Sequence, residues 1–318
     1  MRIRSLFFGG LMLAMMALPI KVRGQDLVKE SLASFSPQTI RVEYSRLGKL
    51  RSLPNYQNLR QRFVGPRLRS LEESFAKLGV GESDIDEIVL AWQPGSSMME
   101  LEGMVVGRFT AKGISDRASA AGVAPTTVAG LPAFCLGGDA GTTCVVVIQN
   151  SLGAFGTQES LATMLDARGG QSAGLGTNER FAKLVNDAHA EAQIWGVAVG
   201  DAVADFFRAW MPAQGGLQMD WSKAFQSVEA LAYTVDTSDR IRLDVKMDCN
   251  SSESAQSTRQ VFEGLKMFQQ MAWQSLNPNK PNPFQSVEIS SDDRRVSLRM
   301  VANSTDLEGF TAPGGAGN

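Results

Sequence analysis

The 318-residue sequence predicts an α+β protein, a mostly antiparallel sheet with helices on one face. Three observations point there. Strand-like segments arrive in pairs around turn residues, as hairpins do, and single helical segments separate the pairs. The order β-α-ββ-α-ββ can be read twice along the chain, which predicts an internal duplication of one unit. No Gly-x-Gly-x-x-Gly opens a helix after a strand, so a doubly wound nucleotide-binding sheet is disfavoured.

The chain divides on this reading into an export signal (1–24), a first α+β repeat (25–168), a linker and helix (169–191), a second repeat (192–303) and a disordered tail (304–318). In the signal, Arg2 and Arg4 make a positive start and residues 6–20 form an apolar run broken by Gly9, Gly10 and Pro19. As a helix this run spans about 22 Å, against roughly 30 Å for a bilayer core, so it is short for a permanent anchor. Val22 and Gly24 provide the small residues a peptidase needs before a cut at Gln25. Lys21 and Arg23 are the contrary feature, because charge beyond the run blurs the asymmetry that orients such segments. An uncleaved anchor at residues 6–20 is the alternative. The expected location is the periplasm or the exterior.

The first repeat begins with a strand over 39–45 and a helix over 56–78. A hairpin (87–92, 98–109), a helix (112–121) and a second hairpin (126–136, 143–154) follow. Helices over 158–167 and 178–188 are separated by Gly169-Gly170-Gln171-Ser172-Ala173-Gly174, a flexible break and a candidate linker or lid. The second repeat has a strand over 192–200, a helix over 202–211, hairpin arms over 227–235 and 240–248, a long helix over 252–276, and arms over 286–290 and 295–301. Asp236-Thr237-Ser238-Asp239 supplies turn chemistry between Leu231-Ala232-Tyr233-Thr234-Val235 and the alternating Ile241, Leu243, Val245 and Met247. Ser252 can cap the long helix, and Val261, Leu265, Phe268, Ala272 and Leu276 fall on one of its faces. Pro278, Pro281 and Pro283 then hold the connection extended. The small residues of 311–318 have nothing with which to pack.

Three cysteines in an exported chain allow one disulfide. Cys135 and Cys144 flank a Gly-Gly-Asp loop; in a hairpin symmetric about Asp139 and Ala140 they face each other, close enough to bridge. Cys249 shares strand parity with Leu243, Val245 and Met247, which makes it a buried apolar residue rather than a reactive thiol.

Composition narrows the chemistry. Loss of residues 1–24 removes four of 31 cations and none of 33 acids, taking the formal charge from −2 to −6. Such a body lacks the field that draws proteins to phosphate backbones, so nucleic acid is not an expected partner. With 43% apolar and 20% charged residues the chain has material for a packed core. No phosphate-cradling Gly-Lys-Ser/Thr loop is present, and no cofactor is expected.

Catalytic signals are equally thin. His189 is the single histidine, at the polar end of a predicted helix, where the dipole favours it, and no Gly-x-Ser-x-Gly elbow supplies it with a nucleophile. One histidine and three scattered cysteines give no zinc pair. Hard cations need only oxygens, so the histidine count says nothing of calcium. Asp84, Asp86 and Glu87 are the densest carboxylate cluster, and the reading there is a charged turn. Asp201 and Asp205 suit a helix start. Trp92, Trp195, Trp210 and Trp273 fall in predicted strands and helices and suit a core, while Trp210 and Trp221 flank a glycine-bearing loop that could offer a partner surface. No catalytic residue is assigned.

Two functions follow as expectations. The first is an exported noncatalytic protein with a binding or structural role toward a protein, a surface polymer or a small ligand, touching membrane only through its N-terminal segment. The second is an exported hydrolase working through carboxylates or an oxygen-ligated metal. A group of buried carboxylates in one cleft would favour the second.

Overall fold

Where a strand alternates apolar and polar residues, one of its faces is wet; where successive residues are all apolar, both faces are covered. This chain has both kinds of strand. The structure, a computed structural model, describes residues 24–53, 56, 57, 60, 66–95, 99–137, 142–189, 192–210, 220–237 and 240–303. Residues 1–23 of the expected export signal, the expected tail (304–318) and residues 211–219 lie outside these residues. The first elements are α1 (Gly24–Ser34), β1 (Arg41–Ser45), a short α2 (Leu47–Leu50), α3 (Pro66–Lys77), β2 (Ile85–Pro94), β3 (Met99–Gly107) and α4 (Ala111–Ala120). Then come β4 (Pro125–Val128), β5 (Leu131–Leu136), β6 (Thr143–Gln149), β7 (Leu152–Gly156), α5 (Gln158–Arg168) and α6 (Glu179–His189). The remainder is β8 (Ile194–Val199), α7 (Ala202–Trp210), α8 (Trp221–Ala224), β9 (Val228–Asp236), β10 (Ile241–Cys249), α9 (Ser252–Leu276), β11 (Glu288–Asp292) and β12 (Arg295–Ala302).

The strands form one 12-stranded sheet in the order β11-β12-β10-β9-β8-β1-β2-β3-β7-β6-β5-β4. It is an α+β fold with antiparallel pairing throughout. The two halves join through β1 and β8, where Val42 faces Val197 and Tyr44 faces Trp195, the latter two rings stacked 5.6 Å apart. Outward from that junction the halves run β1-β2-β3-β7 and β8-β9-β10-β12, in each case first, second, third and last strand. A shared strand order is topology and does not by itself establish duplication of a sequence.

Several elements differ from the sequence expectation. The arms expected over 126–136 and 143–154 each fold back on themselves, giving four strands where two were read. Ala129 (φ 46°) and Gly130 (φ 80°) make one turn, and Asn150 with Ser151 (φ 70°) makes the other. Within the helix read over 56–78, residues 56, 57 and 60 are helical and α3 runs from Pro66, a residue tolerated in a first turn. The cap of α9 is Ser251, which accepts from the Ser254 N–H at 3.1 Å, one residue before the expected Ser252. Its buried stripe is Ala255, Thr258, Phe262, Leu265 and Trp273, while Val261, Phe268 and Ala272 are half-buried on its flank.

Helices lie on both faces of the first half, so the one-face expectation describes only the far end of the second. Val42, Val89, Ala91, Met104, Val146 and Val197 point to α1, α5 and α6. Leu90, Val105, Phe134, Val145 and Phe155 point the other way, to α3 and α4. That second face continues through Leu231, Tyr233, Val245, Met247 and Val296 under α7, α8 and α9. The helix of the expected linker, α6, buries Phe181, Val185 and Ala188 in the core, which is the behaviour of a wall rather than a lid. Beyond β9, the face shared with α1 and α6 carries charged and hydroxyl side chains.

Candidate functional site

The most distinctive surface is built by a strand irregularity. On β9 and β10, Ala230 pairs with Asp248 and Val228 with Cys249, which leaves Glu229 as an extra residue in a β-bulge. Bulges re-aim a side chain. Glu229 meets Arg180 of α6 at 3.0 Å and Arg294 of the β11–β12 turn at 3.5 Å. That turn has two residues, Asp293 and Arg294, with Asp293 at φ 48°, a conformation aspartate tolerates. Arg294 is pinned to the end of β10: its Nε donates to the Cys249 carbonyl at 2.9 Å and its carbonyl accepts from the Cys249 N–H at 2.8 Å.

Around this corner lies a cleft of about 630 Å³, whose polar walls include Arg180, Glu229, Asp248, Asp292, Arg294 and Arg295. Arg295 donates to Asp248 at 2.7 Å, and that bond is the first cause of its raised pKa. The ladder continues outward on the same face, with Arg299 on Asp244 at 2.7 Å and Arg242 near Asp236 at 3.5 Å. Glu288, Ser290 and Asp292 stand opposite Arg299, Ser297 and Arg295. A charge-balanced β10 and an acidic β11 thus flank a basic β12. The carboxylates of Glu229 and Asp248 are 40% and 34% exposed and ion-paired, so they are not a buried acid pair.

Two other polar groups are buried within the packing. At the junction of the halves, Arg41 donates twice to Glu43, at 3.1 and 2.5 Å, and its guanidinium lies 4.5 Å from the Trp92 ring centre and 5.5 Å from that of Phe206. Burial acts to lower the Arg41 pKa and Glu43 outweighs it, so the net shift is upward. Tyr233 also bonds Glu43, and burial raises its pKa. Gly196 faces Tyr233 and leaves its ring the space that a Cβ would take. Elsewhere, on β3, Glu102 is 1% exposed, and burial pushes its carboxyl up to about 8, with Glu100 adding to the shift and the Ser36 N–H opposing it.

The residues singled out from sequence are dispersed. Cys135 faces Cys144 in register and the structure joins their sulfurs in a disulfide. Cys249 is buried beside Thr258, with its pKa raised by burial. Asp84 closes a 3-10 turn, but Asp86 and Glu87 lie in β2 and not in a turn. Arg51 ties that corner together through the Glu82 and Ile85 carbonyls and the Asp86 carboxylate; Glu87 accepts from Tyr44 at 3.1 Å. Asp201 precedes α7 and Asp205 lies in its first turn. His189 ends α6. Trp195 and Trp273 are core residues and Trp92 lies under Arg41. The side chains of Trp210 and Trp221 fall outside the described residues. Among the described residues no group of three metal-ligating side chains occurs, and no helix is long and apolar enough to cross a membrane.

No protein-family model matches the chain, and no curated protein sequence matches it. Among solved structures it is similar to TP0453. Crystal form III of that protein superposes with a TM-score of 0.52 at 12% identity, over 88% of this chain and 98% of that one. Crystal form I gives a TM-score of 0.49 at 11% identity, over 87% of this chain and 94% of that one. The likeness to form III is one of fold alone.

The sequence reading missed the Glu229 cleft altogether. Glu229 lies 49 residues from Arg180 and 65 from Arg294, and the three carry no motif; only the Asp292-Asp293-Arg294-Arg295 run is a local sign of a charged turn.

Proposed function

We propose that this is an exported protein without catalytic machinery of its own, and that it binds a polar, charged partner or ligand on the bare sheet face around the Glu229 cleft. One observation carries the reading. Among the described residues, the face that α1, α5 and α6 cover over most of the sheet is left open over β10, β12 and β11, and there it bears an ordered Arg–carboxylate ladder leading into a cleft. Fixed side chains of both signs suit a ligand that offers donors and acceptors, since pre-positioned groups lose less freedom on binding. The Cys135–Cys144 disulfide supports an oxidising compartment. A general acid must hold its proton near the working pH, and the exposed, arginine-paired Glu229 and Asp248 are poorly placed for that work.

The test is native mass spectrometry of the full-length product purified gently from its own cells, beside a double variant, Arg180→Glu with Arg295→Glu. The wild type should carry added mass that the variant lacks, with similar melting of both proteins. A bare wild type, or added mass that survives both reversals, refutes binding at this face. A mass beginning at Gln25 supports cleavage of the signal.

A further inference from the structure

Glu102 has no place in the binding reading, which makes its position informative. It stands on β3 opposite Ala91 of β2, on the face covered by α1 and α5. The turn leaving α1 closes over it: the Ser36 N–H donates to the carboxyl, and Ser36 itself is 9% exposed. The Oε1 atom has no protein hydrogen-bond partner, nor have the buried hydroxyls of Ser31 and Thr39 on the same covering segment. From the other side, Gly156 and Ser160 close the site, since a Cβ on Gly156 would meet Ser160 Oγ and the Glu102 side chain.

The charged groups on the surrounding elements offer no cation to pair with it. Glu100 is two residues along the same strand and repels a second negative charge. On α1, Glu30 points outward to Arg168 of α5 at 2.9 Å, and Lys29 is exposed. Glu159 of α5 is exposed, and β7 carries no charged residue. Glu87, on the same face of β2, is held at the other end of the strand by Tyr44 and Arg46.

We propose that Glu102 is a proton-controlled latch: while its carboxyl is neutral, α1 and the turn through Thr39 stay docked on the sheet, and loss of the proton releases them. Docking is anchored by Leu27, Val28 and Phe35, all nearly or fully buried, so release is an opening of one segment and not of the whole sheet. The sign follows from the two environments. Docked, the group keeps its proton until about pH 8; freed into water it would lose it near 4.5. The docked state holds the proton more tightly, so docking is strongest below pH 4.5, weakens as pH rises, and levels off above 8. Across that window the docking constant falls on the order of 10³-fold.

Hydrogen–deuterium exchange of the full-length protein at pH 6, 7, 8 and 9, corrected for the intrinsic rate, tests this. Protection of residues 27–39 should fall about 50-fold between pH 6 and 8 in the wild type, close to tenfold per pH unit until the docked carboxyl itself begins to ionise near 8. It should stay level in Glu102→Gln, and strands β9 and β10 should keep their protection in both. Level protection in the wild type, or an equal fall in the variant, overturns the latch. Should Glu102→Gln fail to fold, a carboxyl ¹³C titration of wild-type Glu102 decides instead. A midpoint near 8, where the loss of protection levels off, supports the latch, and one near 4.5 overturns it.

Discussion

On β6, Cys144 and Val146 turn their side chains toward α5 and are almost wholly buried. On β10 the residues of the same sheet face are Arg242, Asp244, Lys246 and Asp248, and no helix among the described residues covers them. Both strands are antiparallel, and both have a second face that is packed. The difference lies in what the alternating positions hold: β6 is apolar at successive positions, β10 at every other one. A helix can add stability only where it removes apolar area from water, at roughly 25 cal/mol per Å². The covered end of the sheet is therefore held by packing, and the open end keeps a face free for contact.

The largest expected effect breaks the comparison outright. Val146→Asp places an unpaired charge between Ala133 and Ala154 under α5 and should cost about 5 kcal/mol, enough to abolish cooperative melting. Ser297→Asp, on the bare face opposite Lys246, should change stability by less than about 0.5 kcal/mol. Urea unfolding of the two variants checks this. Equal losses would mean that the face over β12 is covered in solution.

Much of this contrast was legible. Period-two alternation marked β10, and the cap and proline signals bounded α9 closely. The turn at Ala129-Gly130 was not, because alanine at positive φ is unusual and only the glycine hinted at it. Glu100 and Glu102 alternate along the run Met99–Gly107, and nothing local in the sequence says that α1, some 70 residues earlier, closes over one of them. The junction of the halves and the Glu229 cleft depend on pairings between distant segments, which local propensity does not encode.

A second effect compares ion pairs by environment. Arg41 and Glu43 have side chains 15% and 17% exposed, between Trp92 and Phe206. Arg41→Ala leaves Glu43 buried beside Tyr233 without its cation and should cost about 3 kcal/mol. Changing both to Met should restore most of that loss, because the penalty belongs to the stranded charge. Thermal unfolding of the single and double variants measures it. A third, somewhat smaller effect tests the covalent tie at the covered end. Replacing Cys135 and Cys144 by Ser opens a loop of nine-residue separation and should lower stability by about 2 kcal/mol, visible as equal denaturant midpoints for the variant and the reduced wild type.

The smallest effect sharpens the comparison most. Arg299 is 60% exposed and its partner Asp244 29%, although their 2.7 Å contact is shorter than that of many buried pairs. Distance alone would rank this pair with Arg41 and Glu43. Solvent decides otherwise, since water screens both charges and both long side chains lose freedom in pairing, so Arg299→Ala should leave the unfolding midpoint almost where it is. The remainder should vanish in 1 M salt, where the screening length is about 3 Å, while the loss from Arg41→Ala should persist. A salt-insensitive loss at Arg299 as large as that from Arg41→Ala would mean that the ladder is shielded from water, and that the open end of the sheet is already occupied by something that covers it.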